Sequence, residues 1–278
     1  MNLLMPMIRP SDLAAALAVL RQSRYIDLTH AFESDIPHCE SFPPEKRITL
    51  YHYDEGVGTR GSGFLAHEYR HVGQWGTHVD PPAHFVRGLR YLDEIDVSEM
   101  ILPLAVIDIA ERARANPDAV VALSDITSWE LANGRLPDGV FVALHTGWGC
   151  RWPDKARMSN RDETGIAHFP GWSTEVLAFL AKERQVTAIG HDTTDTDPGV
   201  VVSRREAPLE DYWLRQNKWQ IELLANLDQV PSAGALIVAS WPKPRRGSGF
   251  PARAFAIAPR GTDEALTWGP AKIDGATR

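Results

Sequence analysis

A chain of 278 residues with 44% apolar and 23% charged side chains has the balance of an ordinary globular protein, which excludes disorder and coiled coil and allows one compact domain with a sizeable core. The formal charge of −7 comes without a basic stripe, the densest basic run being Lys243, Arg245 and Arg246, so small molecules rather than nucleic acid are the expected partners. Two cysteines, Cys39 and Cys150, are too few for a disulfide framework and too far apart for a thiolate zinc cluster, which fits a reducing cytoplasm.

The opening stretch MNLLMPMIRPSDLAAALAVL is interrupted by Asp12, is too short to cross a bilayer and is followed by no clean cleavage site, so neither a membrane span nor an export signal is expected. Ser11 or Asp12 can cap a helix whose Leu13, Leu17 and Leu20 share a face. Residues 1–24 are therefore read as an N-terminal helix that packs on its own domain or on a neighbouring subunit, and residues 25–278 as one domain. Runs rich in Val, Ile, Leu or Ala and bounded by Gly, Pro or Asp at 104–109, 140–144, 186–190, 236–240 and 253–258 predict buried strands. Ser173 predicts the cap of a helix that turns Val176, Leu177 and Leu180 inward. Strand and helix alternate there, so the class is α/β. The polar stretch 151–169 is of the length that forms lids or oligomer contacts.

The chemistry concentrates in QWGTHVDPPAHF, residues 74–85. His78 and Asp80, two apart, project from one face of an extended chain, and imidazole nitrogen with carboxylate oxygen is a donor pair for a divalent ion. Gly76 and Thr77 allow a bend that brings the Gln74 amide oxygen to the same ion. On spacing alone, a hydrogen-bonded surface turn stiffened by Pro81 remains the alternative.

The segment resembles the signature of the cyclase family, which includes bacterial kynurenine formamidases and isatin hydrolases and reads H-x-G-T-H-x-D-x-P-x-H. Gly76, Thr77, His78, Asp80, Pro82 and His84 match it, while Gln74 replaces the first histidine. The likeness extends along the chain: Asp27, Leu28, Thr29 and His30 resemble the family's DLTH; Thr146, Gly147 and Trp148 its TGW; Phe169, Pro170 and Gly171 its F-P-G. Gly190 and Asp192 resemble its G-x-D, Glu222, Asn226 and Leu227 its E-x-L-x-N-L, and Gly249, Pro251 and Arg253 its G-x-P-x-R.

The resemblance implies a single compact domain with a mixed β-sheet core and flanking helices. It implies that Gln74, His78 and Asp80 surround a metal that Asp80 and Glu222 bridge or complete, and that His84 serves as acid and base. Imidazole suits that task because it exchanges protons near neutral pH. A further family histidine, twelve positions before the glutamate, falls here at Glu210, read either as a ligand or as a solvated charge at a helix end. Amide and carboxylate in place of two imidazoles make the set oxygen-rich, so Mn²⁺ gains over Zn²⁺.

Trp75, inside the motif, is the candidate substrate-binding residue, an aromatic wall for a flat ring; Trp148 and Trp172 read as core. His191 stands where the family has an apolar residue, and outer-shell support or a structural hydrogen bond is expected of it rather than ligation. Asp192, Thr193, Asp195 and Asp197 lack the glycine and terminal glutamate of a calcium loop. No G-x-S-x-G elbow and no glycine-rich phosphate loop occurs. The expectation is a metal-dependent hydrolase, acting most readily on a C–N bond, that opens an amide, lactam, ester or lactone in a small cyclic or aromatic compound. A ring-closing, dehydrating cyclase and a catalytically silent binding module are the alternatives. Family habit implies a homodimer or homotetramer in the cytoplasm.

Overall fold

The computed structural model describes residues 9–53 and 63–260. Its strands, in chain order, are β1 (Arg24–Asp27), β2 (Lys46–Tyr51), β3 (Ala66–Arg70), β4 (His78–Asp80), β5 (Ile101–Asp108), β6 (Phe141–His145), β7 (Ala188–His191), β8 (Trp219–Glu222), β9 (Ala235–Ser240), β10 (Phe250–Pro251) and β11 (Arg253–Ala258). The helices are α1 (Pro10–Gln22), α2 (Ala110–Ala115), α3 (Leu123–Asn133), α4 (Lys155–Ser159), α5 (Thr174–Lys182), α6 (Gly199–Val202) and α7 (Pro208–Arg215). The runs expected from composition are β5, β6, β7, β9 and β11, with ends displaced by no more than three residues.

Among the described residues, nine strands form a mixed sheet in the order β1-β11-β9-β5-β6-β7-β8-β4-β10, and β2 pairs with β3 apart from it. β5 to β8 run parallel, and the remaining pairs are antiparallel. Only Ala252 separates β10, at one end of the strand order, from β11, next to the other end, so the chain links the two sides and the sheet curls.

The central strands are continuously apolar because both faces are covered. Along β5 and β6, Leu104, Val106, Phe141 and Ala143 enter one core, with Leu28, Val79, Trp219 and Ile221. Their alternates Ala105, Ile107, Val142 and Leu144 enter the other, beneath Ile126 and Trp129 of α3, Val176, Leu177 and Leu180 of α5, and Trp213 and Leu214 of α7. That is the two-residue period of a strand read through two cores. Gly190 in β7 is small for a reason of space, since a Cβ there would meet Phe141 Cζ at 2.7 Å and the Ile221 carbonyl oxygen at 2.9 Å. Ser173 caps α5 as expected, its Oγ accepting from the Val176 N–H at 3.4 Å.

Two expectations change. α1 begins at Pro10, not after Ser11 or Asp12, because proline suits the first helical turn and Asp12 reaches back to accept the Arg9 N–H at 3.0 Å. No residue of α1 is fully buried: Leu13 and Leu17 stand 66% and 47% exposed, and Leu20 is half-buried. The polar stretch 151–169 is not a structureless loop. It contains α4, buries Met158, stacks Trp152 on His30 at 4.3 Å, and pairs Lys155 with Asp35 and Arg161 with Glu40 at 2.7 and 3.0 Å. No helix among the described residues is long and apolar enough to cross a membrane.

Candidate metal centre

β4 and β8 pair with His78 opposite Glu222 and Asp80 opposite Gln220. Residues two apart on a strand share a face, so these four side chains converge while Val79 and Ile221 between them turn into the core. His78 Nδ1 lies 2.7 Å from the Gly76 carbonyl oxygen. A carbonyl only accepts, so Nδ1 carries the proton and Nε2 presents its lone pair, 3.3 Å from Asp80 Oδ2 and 3.5 Å from Glu222 Oε2.

The helix α7 brings a third carboxylate. Asp197 accepts the N–H groups of Leu209 and Glu210 at 3.1 Å, capping the helix as a carboxylate at a helix N-terminus does and setting Glu210 over the strands. Gln220 Nε2 then donates to both Glu210 Oε1 and Glu222 Oε1 at 3.1 Å, and Thr196 Oγ1 donates to Gln220 Oε1 at 2.8 Å. The carboxylates are therefore held apart by an amide that is itself oriented. His84, on the short turn Pro82–His84, points Nε2 to within 4.0 Å of Asp80 Oδ1 and 3.9 Å of Glu210 Oε1. It is only partly buried, its side chain 23% accessible, which leaves it open to a substrate.

Electrostatics make the cluster costly as side chains alone. Burial, then Asp80 and Asp195, raises Glu210 well above the usual carboxylate range; burial, then Glu210 and Asp195, does the same to Glu222. Burial, Asp197 and Asp80 push Asp195 up to about 8. Asp80 goes the other way: burial opposes it, but His78, His84 and the Gln74 amide hold it well below the usual range. Burial would depress His78, yet Asp80 and the Gly76 carbonyl raise it. Buried like charges at this separation disfavour ionisation, and a cation among them reverses the preference.

A divalent ion fits these residues. Asp80 Oδ2 is buried with no hydrogen-bond partner, an arrangement that is expensive unless something accepts its lone pairs. Among the described residues three donor sets share members, His78–Asp80–Glu222, Asp80–His84–Glu210 and Asp195–Glu210–Glu222, with donor atoms within 4.8 Å of one another in each. The first set is the one whose members are all buried, and it holds a single imidazole.

Gln74 lies beside the set with its amide nitrogen, donating to Asp80 Oδ1 at 3.0 Å and to the Ser248 carbonyl oxygen at 2.8 Å. Trp75 departs from its expected place. Its ring is fully buried, its indole N–H donates to the Glu33 carbonyl oxygen at 3.2 Å, and it lies 4.5 Å from the His38 ring, so it anchors segment 33–38 and presents no surface to a ligand. Glu210 is 7% exposed, which excludes the solvated helix-end reading. Asp195, Gln220, Thr196 and Asp197 join the site without having been singled out for it. Gln220 carried a usable signal, the same two-residue spacing from Glu222 that marked His78 and Asp80.

The other motif residues build the frame. Asp192 accepts from Thr146 N–H and Oγ1 at 3.1 and 2.5 Å, tying G-x-D to TGW. Asn226 Nδ2 donates to the Asp27 carbonyl oxygen at 2.8 Å, and Arg253 pairs with the Asp27 carboxylate at 2.7 Å, so three more motifs meet in one seam. Thr77 Oγ1 accepts from the His30 N–H at 3.0 Å and donates to the Leu223 carbonyl at 2.6 Å, locking the residue before His78.

Comparison with known proteins agrees with this geometry. The family model described as putative cyclase matches residues 26–198. An isatin hydrolase of Roseibium aggregatum is 34% identical over 190 residues, 66% of this chain and 72% of that protein. Among solved structures, an isatin hydrolase bound to the product analogue thioisatinate is similar with a TM-score of 0.82 at 28% identity, covering 91% of this chain and all of that one (100%). Isatin hydrolase A from Ralstonia solanacearum is similar with a TM-score of 0.79 at 31% identity, over 93% of this chain and 100% of that one.

Proposed function

The chain belongs to the cyclase family, and we propose that it is a metal-dependent hydrolase that opens a cyclic amide in a small aromatic compound of the isatin type. The observation that carries this reading is the meeting of His78, Asp80 and Glu222 around one point, with an accessible His84 4.0 Å from Asp80.

His78, Asp80 and Glu222 would hold the ion, with Glu210 beside them. Bound there, a divalent cation supplies Lewis acidity toward a water and toward the scissile carbonyl. His84 Nε2 takes a proton from the attacking water, the water oxygen bonds to the carbonyl carbon, and the ring C–N bond breaks as His84 returns the proton to the leaving nitrogen. Products are a carboxylic acid, which then gives its proton to solvent, and an amine on one opened molecule, so atoms balance without a further reagent. Glu210, 3.9 Å from His84 Nε2, stabilises the imidazolium between the two transfers. The donor set is rich in carboxylate, which supports Mn²⁺ over Zn²⁺ as the working ion. The unburied apolar face of α1 supports a homodimer or homotetramer.

The test is ring opening of isatin and of simple lactams, followed by absorbance, with protein stripped by chelator and reloaded with Mn²⁺ or Zn²⁺. Turnover lost on stripping and restored by the ion is expected. Metal-loaded protein that binds such lactams and leaves them intact would overturn the hydrolase reading.

A further inference from the structure

Gln74 stands where the family pattern has histidine, and its surroundings are built around its nitrogen. Both groups within its reach, Asp80 Oδ1 at 3.0 Å and the Ser248 carbonyl oxygen at 2.8 Å, can only accept hydrogen bonds. Exchanging amide oxygen and nitrogen would set oxygen against carboxylate and carbonyl at once. The neighbouring backbone makes room for this one group: a Cβ on Gly249 would lie 1.8 Å from Gln74 Nε2 and 3.3 Å from Asp80 Oδ1, and a Cβ on Gly73 would lie 2.3 Å from the Gly249 carbonyl oxygen. Asp80 thus has one oxygen engaged by Gln74 and the other, Oδ2, without a hydrogen bond and 3.3 Å from His78 Nε2.

We propose that Gln74 is a positioning residue that acts on the metal through Asp80 instead of ligating it, with Gly73 and Gly249 kept small so that its amide can reach. The inference rests on the metal-centre reading above. A donated hydrogen bond fixes the carboxylate plane, which would leave Oδ2 to face the ion while Oδ1 stays on the His84 side. Replacing histidine by glutamine therefore changes the role of the position, and the centre keeps one imidazole from the motif.

The two roles predict opposite signs for Gln74→Glu. If the side chain ligated through oxygen, a carboxylate would tighten Mn²⁺ binding; if it donates to Asp80 and Ser248, a carboxylate cannot donate, repels Asp80 and weakens binding by about 10- to 100-fold, the usual effect of losing an outer-shell partner. Affinity is read by calorimetry on stripped protein, with free Mn²⁺ counted by electron paramagnetic resonance, and thermal unfolding monitors each variant's fold. Gln74→Met, of similar length and without charge, serves if the Glu variant does not fold, and a smaller loss is expected of it. Gly249→Ala should weaken binding in the parent by displacing the amide, yet add no further loss in a Gln74→Ala background where nothing remains to displace. Equal or tighter binding by Gln74→Glu, or additive losses for Gly249→Ala and Gln74→Ala, overturns the proposal while leaving the metal centre standing. Parent protein that binds no Mn²⁺ overturns both.

Discussion

Trp172 donates its indole N–H to His191 Nδ1 at 3.2 Å, and that single bond decides where the His191 proton sits. With Nδ1 accepting, Nε2 carries the hydrogen and faces Glu222 Oε1 at 3.5 Å. Burial, with the repulsion of His78 after it, lowers the His191 pKa to about 3, so the ring stays neutral, its Nε2 buried beside Glu222 without a hydrogen-bond partner.

From this, His191→Ala should lower Mn²⁺ affinity about 10- to 100-fold, whereas His78→Ala or Asp80→Ala should abolish binding at the centre. Calorimetric titration of the three stripped variants separates the roles. Equal losses for His191→Ala and His78→Ala would make His191 a ligand.

For His84 the expected split is between rate and metal. His84→Ala should retain the ion and the fold and lose roughly 10²- to 10⁴-fold in kcat, the contribution of a positioned acid or base. Elemental analysis and turnover measured on the same preparation check it. Metal lost along with rate would move His84 from proton carrier to ligand.

Glu210 offers a prediction in which stability and binding diverge. Replacing a buried carboxylate that repels Asp80 and Asp195 with the isosteric amide removes like-charge repulsion, so Glu210→Gln should unfold later than the parent when both are stripped. A gain of about 1 kcal/mol would shift Tm by roughly 2–4 °C. The same variant should bind Mn²⁺ more weakly, because less negative charge surrounds the ion. Scanning calorimetry with and without Mn²⁺ tests both signs; a lower Tm of the stripped variant contradicts the electrostatic account.

His168 predicts a local pH dependence away from the centre. Its Nδ1 lies 2.9 Å from Asp118 and its Nε2 3.4 Å from Asp162, and hydrogen bonds to those two carboxylates raise its pKa. A raised histidine contributes fully below its unfolded value near 6.5 and loses that contribution as pH rises through the folded value. Asp162, lowered to about 2, chiefly by its bond to Thr164, contributes above about 3.8 and fails only as pH falls toward 2. Hydrogen exchange in 155–169 should therefore quicken above neutrality relative to the rest of the chain, and His168→Gln should remove the difference. Uniform protection from pH 6 to 9 in the parent would show that the clamp does not hold the segment.

What could be read from the chain follows which residues are buried on both sides. β6 announces itself because Phe141 to Leu144 feed two cores in turn. β8, WQIE, hides because its alternate residues are the polar Gln220 and Glu222 of the site, and β2 and β3 hide because their pairing leaves most of their side chains exposed. His78, Asp80, His84 and Glu222 were legible through the family motif. Asp195 and Asp197 were not, since their roles depend on where α7 settles over β8, a long-range contact that local spacing does not encode. Trp75 misled because nearness in sequence to His78 says nothing of which way the neighbouring indole turns; its partners are Glu33 and His38.

The strand register has a consequence for biosynthesis. His78 pairs with Glu222 on one side and with Pro251 on the other, so the centre draws on residues near the beginning and near the end of the described chain. At about 5–20 residues per second, the ribosome needs on the order of ten to thirty seconds between making His78 and making the segment that seats Gln74. Throughout that interval the motif is present without its frame. Capture of an ion at the intended geometry therefore waits for that segment, and which ion arrives depends on what the cell offers once β10 has paired with β4.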